Sequence, residues 1–206
     1  MTGVMDFGDS DVEAVLGCLA LTRFARRNVA LFTLGIETGF RITELLSVCI
    51  ADVYQGDRVR DTLTIARKNM KRKREGRSIQ LSLPAQTAVK SYLNELYGDG
   101  YWHGDDYLFQ SARKRNASIS RTHAWQILHD AARAAGITYK VGTHSMRKTF
   151  ARRYYEWLLD QHAKFHRSIN PLRELSKALG HKSIDSTEKY ISWSDTILME
   201  YIATRQ

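Results

Sequence analysis

The chain has 206 residues, 43% of them hydrophobic, which is enough to bury a core without staples and excludes fibrous, collagen-like and disordered classes. Thirty-one Lys and Arg against 22 Asp and Glu leave a net charge of +9, a field that draws polyanions. Cys18 and Cys49 stand too far apart in sequence for a zinc pair or a disulfide framework, and read as buried thiols in a reducing interior.

Asp9 or Ser10 is placed to cap a first helix. A second spans Arg26 to Gly35, with Val29, Leu31, Phe32 and Leu34 apolar, and Gly35 and Gly39 punctuate a turn around Glu37 and Thr38. Arg41 opens a third, whose apolar face is Ile42, Leu45, Leu46 and Cys49 and whose N-terminal end, with free backbone N–H groups, suits an anion. The period then changes to two. Leu63 and Ile65, then Ile79, Leu81 and Leu83, alternate with polar residues and predict a β-hairpin with a basic tip.

Pro84 suits the first turn of a helix bearing Ala88, Val89, Tyr92, Leu93 and Leu96, and a glycine-rich loop leads to a short strand at Tyr107-Leu108-Phe109. Ser120 caps a helix that stops at Gly136, Thr143 caps one running from His144 past Leu158, and Asn170-Pro171 and Gly180 frame a shorter one. Ser183 to Trp193 reads as another helix, and Ser194 to Gln206 as an amphipathic tail. Nothing in the composition marks an internal boundary. The N-terminal eleven residues are acidic where a secretory leader is basic, and the longest apolar run, Val29 to Ile36, is too short for a bilayer. A cytoplasmic protein without a membrane partner is expected.

Chemistry concentrates in three places. His144 and Arg147, three apart on a helix, share a face and can converge on one object. Residues 67 to 77 hold seven basic side chains, Arg67, Lys68, Lys71, Arg72, Lys73, Arg74 and Arg77, against Glu75 alone, a surface for phosphates from which one lysine could also protonate a leaving oxygen. Tyr190 follows Leu179-Gly180-His181 by nine positions; its phenol, with an ordinary pKa near 10, needs a base or a cationic pocket before it can attack. His162 and His166 are four apart, but Ala163 stands where a metalloprotease motif needs Glu, so no metal is expected.

The order of these parts resembles the tyrosine recombinase, or phage integrase, family. Thr38-Gly39-Phe40-Arg41-Ile42-Thr43-Glu44-Leu45 is similar to its T-G-x-R-x-[ST]-E-[LI] box, His144-Ser145-Met146-Arg147-Lys148-Thr149-Phe150-Ala151 to its H-x-L-R-x-T-F-A box, and Leu179-Gly180-His181 with Tyr190 to its L-L-G-H box and tyrosine. The resemblance implies a mainly helical α+β catalytic domain with a small antiparallel sheet, occupying residues 1–206, the family's N-terminal core-binding domain being absent. It assigns catalysis to Arg41, Lys71, His144, Arg147, His181 and Tyr190, with Lys68 and Lys73 as alternatives to Lys71, and gives Glu44 the task of orienting Arg41. About eleven residues more than the family pattern lie between Arg147 and His181, placed near Gln161 to Ile169.

The chemistry so implied is phosphoryl transfer without cofactor or metal. Arg41 and Arg147 hold the non-bridging oxygens of a scissile phosphate, Tyr190 attacks in line, His144 accepts its proton, His181 donates to the phosphate, and the hairpin lysine protonates the departing 5′ oxygen. Arg67, Lys68, Arg72, Lys73, Arg74 and Arg77 contact the backbone of double-stranded DNA. The implied partners are that DNA and copies of the chain in a tetrameric synapse on it, within the nucleoid, with room for accessory DNA-bending proteins; the tail docks either on a neighbouring copy or on its own domain. Two rivals are a non-catalytic DNA-binding regulator on the same fold and a type IB topoisomerase-like relaxase.

Overall fold

The computed structural model describes residues 3–65, 76–98, 103–114, 117–165, 170–181 and 183–188. Helices dominate, with two small antiparallel sheets, which is the α+β class expected. The chain divides into two compact units, Met1–Phe150 and Ala151–Gln206, and the division falls inside a helix, where no shift in composition could announce it.

In the first unit, α1 (Asp9–Ala20) begins one residue earlier than the sequence suggests. Gly8 is its N-cap, and the Asp11 carboxylate accepts the Gly8 N–H at 2.9 Å, so Asp9 and Ser10 lie inside the first turn. Helix α2 (Ala25–Thr38) runs through Gly35 and the expected turn to end at Gly39, whose φ of 58° is the left-handed conformation that only glycine adopts without strain. Glycine is needed at position 35 because Met146 lies against it: a Cβ there would come to 3.0 Å from the Met146 Cβ. Phe150 packs on Gly39 in the same way.

The expected third helix is two separate turns, α3 (Ile42–Leu45) and α4 (Ile50–Val53), with Cys49 capping the second. Each is closed by a carboxylate three residues on, Glu44 accepting the Arg41 N–H and Asp52 the Cys49 N–H, both at 2.8 Å. Arg41 is therefore an extended cap, and the amide thought free for an anion is already taken. Both cysteines are half-buried thiols outside any disulfide, rather than fully buried.

Strands β1 (Tyr54–Gln55) and β2 (Arg58–Val59) form a hairpin the sequence reading missed; its two-residue turn, Gly56-Asp57, has positive φ at both positions. The expected hairpin is present as β3 (Thr62–Ile65) and β4 (Arg77–Gln80), pairing Leu63 with Ile79 and Ile65 with Arg77. Strand β4 ends before Leu81, and exposed Leu83 instead opens α5 (Leu83–Tyr97), capped by Ser82 with Pro84 in its first turn. Leu108 and Phe109 are fully buried, but Tyr107 makes only an isolated bridge to Cys49, so no strand forms there. Helix α6 (Arg121–Ala134) has the expected cap, Ser120.

Helix α7 (Thr143–Phe165) takes Thr143 as its first residue rather than its cap. The core of the first unit gathers Phe7, Phe32, Phe40, Leu45, Ile50, Leu63, Phe109 and Met146 among α1, α2, α5 and α6, with Phe7 edge-on to Phe32 at 5.4 Å. In the second unit, α8 (Pro171–Leu179) is capped by Asn170 and ends at left-handed Gly180, as expected, and buries Leu175 and Leu179. A single turn, α9 (Asp185–Glu188), follows; the rest of the predicted helix to Trp193 and the tail lie outside the described residues.

Candidate active site

In the first unit the T-G-x-R and H-x-x-R segments meet. The left-handed turn at Gly39 swings the chain out of α2 so that Arg41 follows in extended conformation. Glu44, only 3% exposed, holds it twice, accepting the backbone N–H at 2.8 Å and Nη1 at 3.0 Å. That leaves the Arg41 side chain 39% exposed beside a buried carboxylate, a guanidinium fixed in direction with one face toward solvent.

Arg147, on the first turns of α7, is completely buried, and its Nη1 donates to the Gly39 carbonyl. Burying a guanidinium is tolerable only where it is hydrogen-bonded, and here the acceptor is the turn that leads to Arg41. The helix that presents Arg147 is tied down by Thr149, whose hydroxyl accepts the Phe7 N–H at 2.9 Å. His144, one turn back, does not share this burial; it is exposed. Its imidazole is nevertheless pushed down to about 4, first by desolvation of the ring and then by Arg147, Lys148 and Arg41. Solvent screens those cations, and the ring is neutral at pH 7 by a wide margin.

Arg77, read from the sequence as part of the phosphate-binding tip, stands on the inner face of the β3–β4 sheet at 8% exposure. Its Nη2 donates to the Thr38 carbonyl and its guanidinium lies 4.2 Å from the centre of the Phe40 ring. Burial, then the charges of Arg147 and Arg41, opposed by Glu44, lower it to about 9. The sequence marked Glu44 but missed Phe40 and the inward face of Arg77. The available clue was the alternation itself, since position 77 is in phase with Ile79.

In the second unit, His181 follows the Gly180 cap. Its N–H donates to the Ser176 carbonyl at 2.9 Å, and its Nδ1 pairs at 2.9 Å with the Thr187 hydroxyl, which is fully buried. Thr187 was not read from sequence as a partner of this ring. Tyr190, Lys71 and its alternatives Lys68 and Lys73, and the tip residues Arg67, Arg72 and Arg74 lie outside the described residues, as does His166. Among the described residues no cluster of His, Cys, Asp or Glu is arranged to hold a metal ion, and no helix is long and apolar enough to cross a membrane.

Comparison with known proteins gives the arrangement its context. The model of the phage integrase family matches residues 9–196. A probable integrase/recombinase, YoeC of Bacillus subtilis, is 30% identical over 166 residues, covering 81% of this chain and 77% of the relative. The tyrosine recombinase XerD of Mycobacterium leprae is 32% identical over 167 residues, covering 80% of this chain and 47% of the relative, so the chain spans about half of that protein's length. Among solved structures, XerH site-specific recombinase bound to palindromic difH substrate in a post-cleavage complex superposes with a TM-score of 0.67 at 21% identity, covering 97% of this chain and 52% of that one. At that identity the likeness speaks to the fold.

Proposed function

Because the chain belongs to the phage integrase family, we propose that residues 1–206 form a catalytic domain that cleaves and rejoins DNA strands through a 3′-phosphotyrosine on Tyr190. The observation that carries this is the meeting at one turn of two arginines distant in sequence: Arg147 holds the Gly39 carbonyl, and Arg41 leaves the same turn under the hold of Glu44. Pairing of that kind is what metal-free phosphoryl transfer requires, because two guanidiniums must take up the charge of a pentacoordinate phosphorane.

In this reading Arg41 and Arg147 grip the non-bridging oxygens and Tyr190 attacks in line. His144, neutral at pH 7, accepts the phenolic proton, and His181, its ring held by Thr187, donates to the phosphate. A hairpin lysine, with Lys71 first in line, protonates the 5′ oxygen that leaves. Arg67, Lys68, Arg72, Lys73 and Arg74 contact phosphates along the duplex. Bond energy stored in the phosphotyrosine lets a second DNA end reverse the step without a nucleotide or metal cofactor. The partner is double-stranded DNA, on which copies of the chain assemble, and the XerH likeness, a recombinase bound to its DNA substrate, supports that choice.

The test is incubation with a random-sequence pool of nicked duplexes that trap cleaved strands, followed by denaturing electrophoresis. Wild type should give a protein–DNA band and Tyr190→Phe none. A band that persists in the variant removes Tyr190 from the mechanism, and no band from the wild type counts against strand cleavage by this chain.

A further inference from the structure

Beside Arg41 and Arg147 stands a buried cation to which the proposed chemistry gives no task. Arg77 is 8% exposed, yet it does more than fill space. It donates to the Thr38 carbonyl, stacks 4.2 Å from the centre of Phe40, and keeps a buried Nη1 that meets no hydrogen-bond partner among the described residues. Thr38 and Phe40 flank Gly39, whose own carbonyl is taken by Arg147. Two guanidiniums thus hold successive carbonyls of the turn that delivers Arg41.

The turn needs such support. Its glycine is left-handed, and the helix that follows Arg41 is a single turn of four residues whose hold on its cap is the Glu44 carboxylate, so the direction in which the chain leaves α2 depends on ties to the turn's own backbone. Without Arg77, the Thr38 carbonyl would lose its guanidinium donor and Phe40 its stacking cation, leaving Arg147 as the guanidinium that holds the turn. Placing a third guanidinium there has a cost, first in burying it and then in setting it near Arg147 and Arg41, and both lower its proton affinity. A residue needed only for packing would be better served by an apolar side chain of similar volume.

We propose that Arg77 is a positioning residue for Arg41, fixing the Thr38–Phe40 backbone so that the Arg41 guanidinium points at the scissile phosphate. It acts from the first residue of β4, the strand that leaves the basic segment, so engagement of that segment on DNA would be felt at the Arg41 turn. The inference rests on the proposed function only for what Arg41 grips.

Arg77→Met and Arg77→Lys, made in the full chain, test it with three readouts: amide hydrogen exchange at Phe40 and Arg41 without DNA, the rate of adduct formation on random-sequence nicked duplexes, and the salt slope of duplex binding. For Arg77→Met we expect exchange at those two amides to rise about tenfold or more and adduct formation to fall about 10²-fold, the loss typical of a misplaced catalytic group, at an unchanged salt slope. Arg77→Lys keeps the charge but cannot both stack and donate from a planar fork, and should recover little of either loss. Unchanged exchange, with a salt slope shallower by about one, would make Arg77 a phosphate contact and overturn the proposal. Full recovery by lysine would overturn it too.

If the Met variant does not fold, Phe40→Leu, which removes only the stacking, must itself accelerate exchange at Arg41, and no acceleration overturns the proposal. Faster exchange in Arg77→Met alongside a wild type that forms no adduct would leave the positioning intact and sink the strand-cleavage reading instead.

Discussion

A neutral His144 beside three cations makes the pH dependence of the reaction specific. If His144 accepts the Tyr190 proton as proposed, protonation adds a fourth positive charge and removes that acceptor, so activity is lost as pH falls through the His144 pKa. The folded ring sits below its ordinary 6.5, driven down by desolvation and then by Arg147, Lys148 and Arg41. The acid limb of adduct formation, measured at subsaturating DNA so that it reports the free protein, should therefore have its midpoint clearly below 6.5. His144→Gln should abolish that limb along with most of the rate. A wild-type midpoint at or above 6.5 would mean that His144 is not the base. The same shift has a stability counterpart, since the unfolded chain binds the proton more readily: the His144 contribution is full above 6.5 and is lost as pH falls toward 4. At this scale the sequence was most informative where spacing is local. His144 and Arg147 could be paired because a three-residue step on a helix fixes neighbours without knowledge of the fold, whereas Arg41 and Glu44 took their roles from the resemblance of their box to the family's. Arg77 and Thr187 could not, because their partners, the Thr38 carbonyl and the His181 ring, become neighbours through strand register and a helix cap.

Elements obeyed their sequence signals where one residue chemically ends or starts them. Ser82, Ser120 and Asn170 cap α5, α6 and α8 with their side chains, and Gly39 and Gly180 end helices in the left-handed conformation. The failures have physical causes. Gly35 read as a turn because glycine weakens a helix, yet it lies within α2, where the close approach of Met146 from a distant part of the chain leaves no room for a side chain. Leu45, Leu46 and Cys49 kept helical spacing across two separate turns, and Leu108-Phe109 is apolar like a strand but bonds to Val48 on one side and Ile119 on the other through isolated bridges rather than a ladder. The α2–α7 approach yields a prediction. Gly35→Ala should gain helix propensity but force Met146 aside, for a net destabilisation of about 1–2 kcal/mol in urea unfolding. Met146→Ala alone should destabilise by about 2–3 kcal/mol, and the double variant should be more stable than the sum of the two predicts, because the new methyl occupies space the thioether vacates. Strict additivity would show that the two residues do not press on each other.

Over the whole molecule, charge is distributed far more unevenly than the total suggests. Residues 67 to 77 carry seven basic side chains and one Glu, a net of +6 within a chain of +9. Arg77 is turned inward, which leaves the six basic residues from 67 to 74 as this segment's candidates for attracting polyanions. If that segment lies along a duplex, its binding is dominated by release of counterions from phosphates, and each phosphate neutralised contributes about 0.9 to the slope of log K against log salt. Replacing Arg67, Lys68, Arg72, Lys73 and Arg74 with glutamine should therefore make the slope shallower by about four to five. Between 50 and 200 mM salt, wild type should lose about 500-fold more affinity than the variant, which follows from a fourfold salt change raised to that exponent. Fluorescence anisotropy with a random-sequence duplex across that range measures both slopes. The variant keeps Lys71, so residual adduct formation at low salt and high DNA concentration is expected if Lys71 is the leaving-group acid. Equal slopes for variant and wild type would place the DNA on another face of the molecule. The electrostatic reading of the hairpin would then fail even if Tyr190 proved to be the nucleophile.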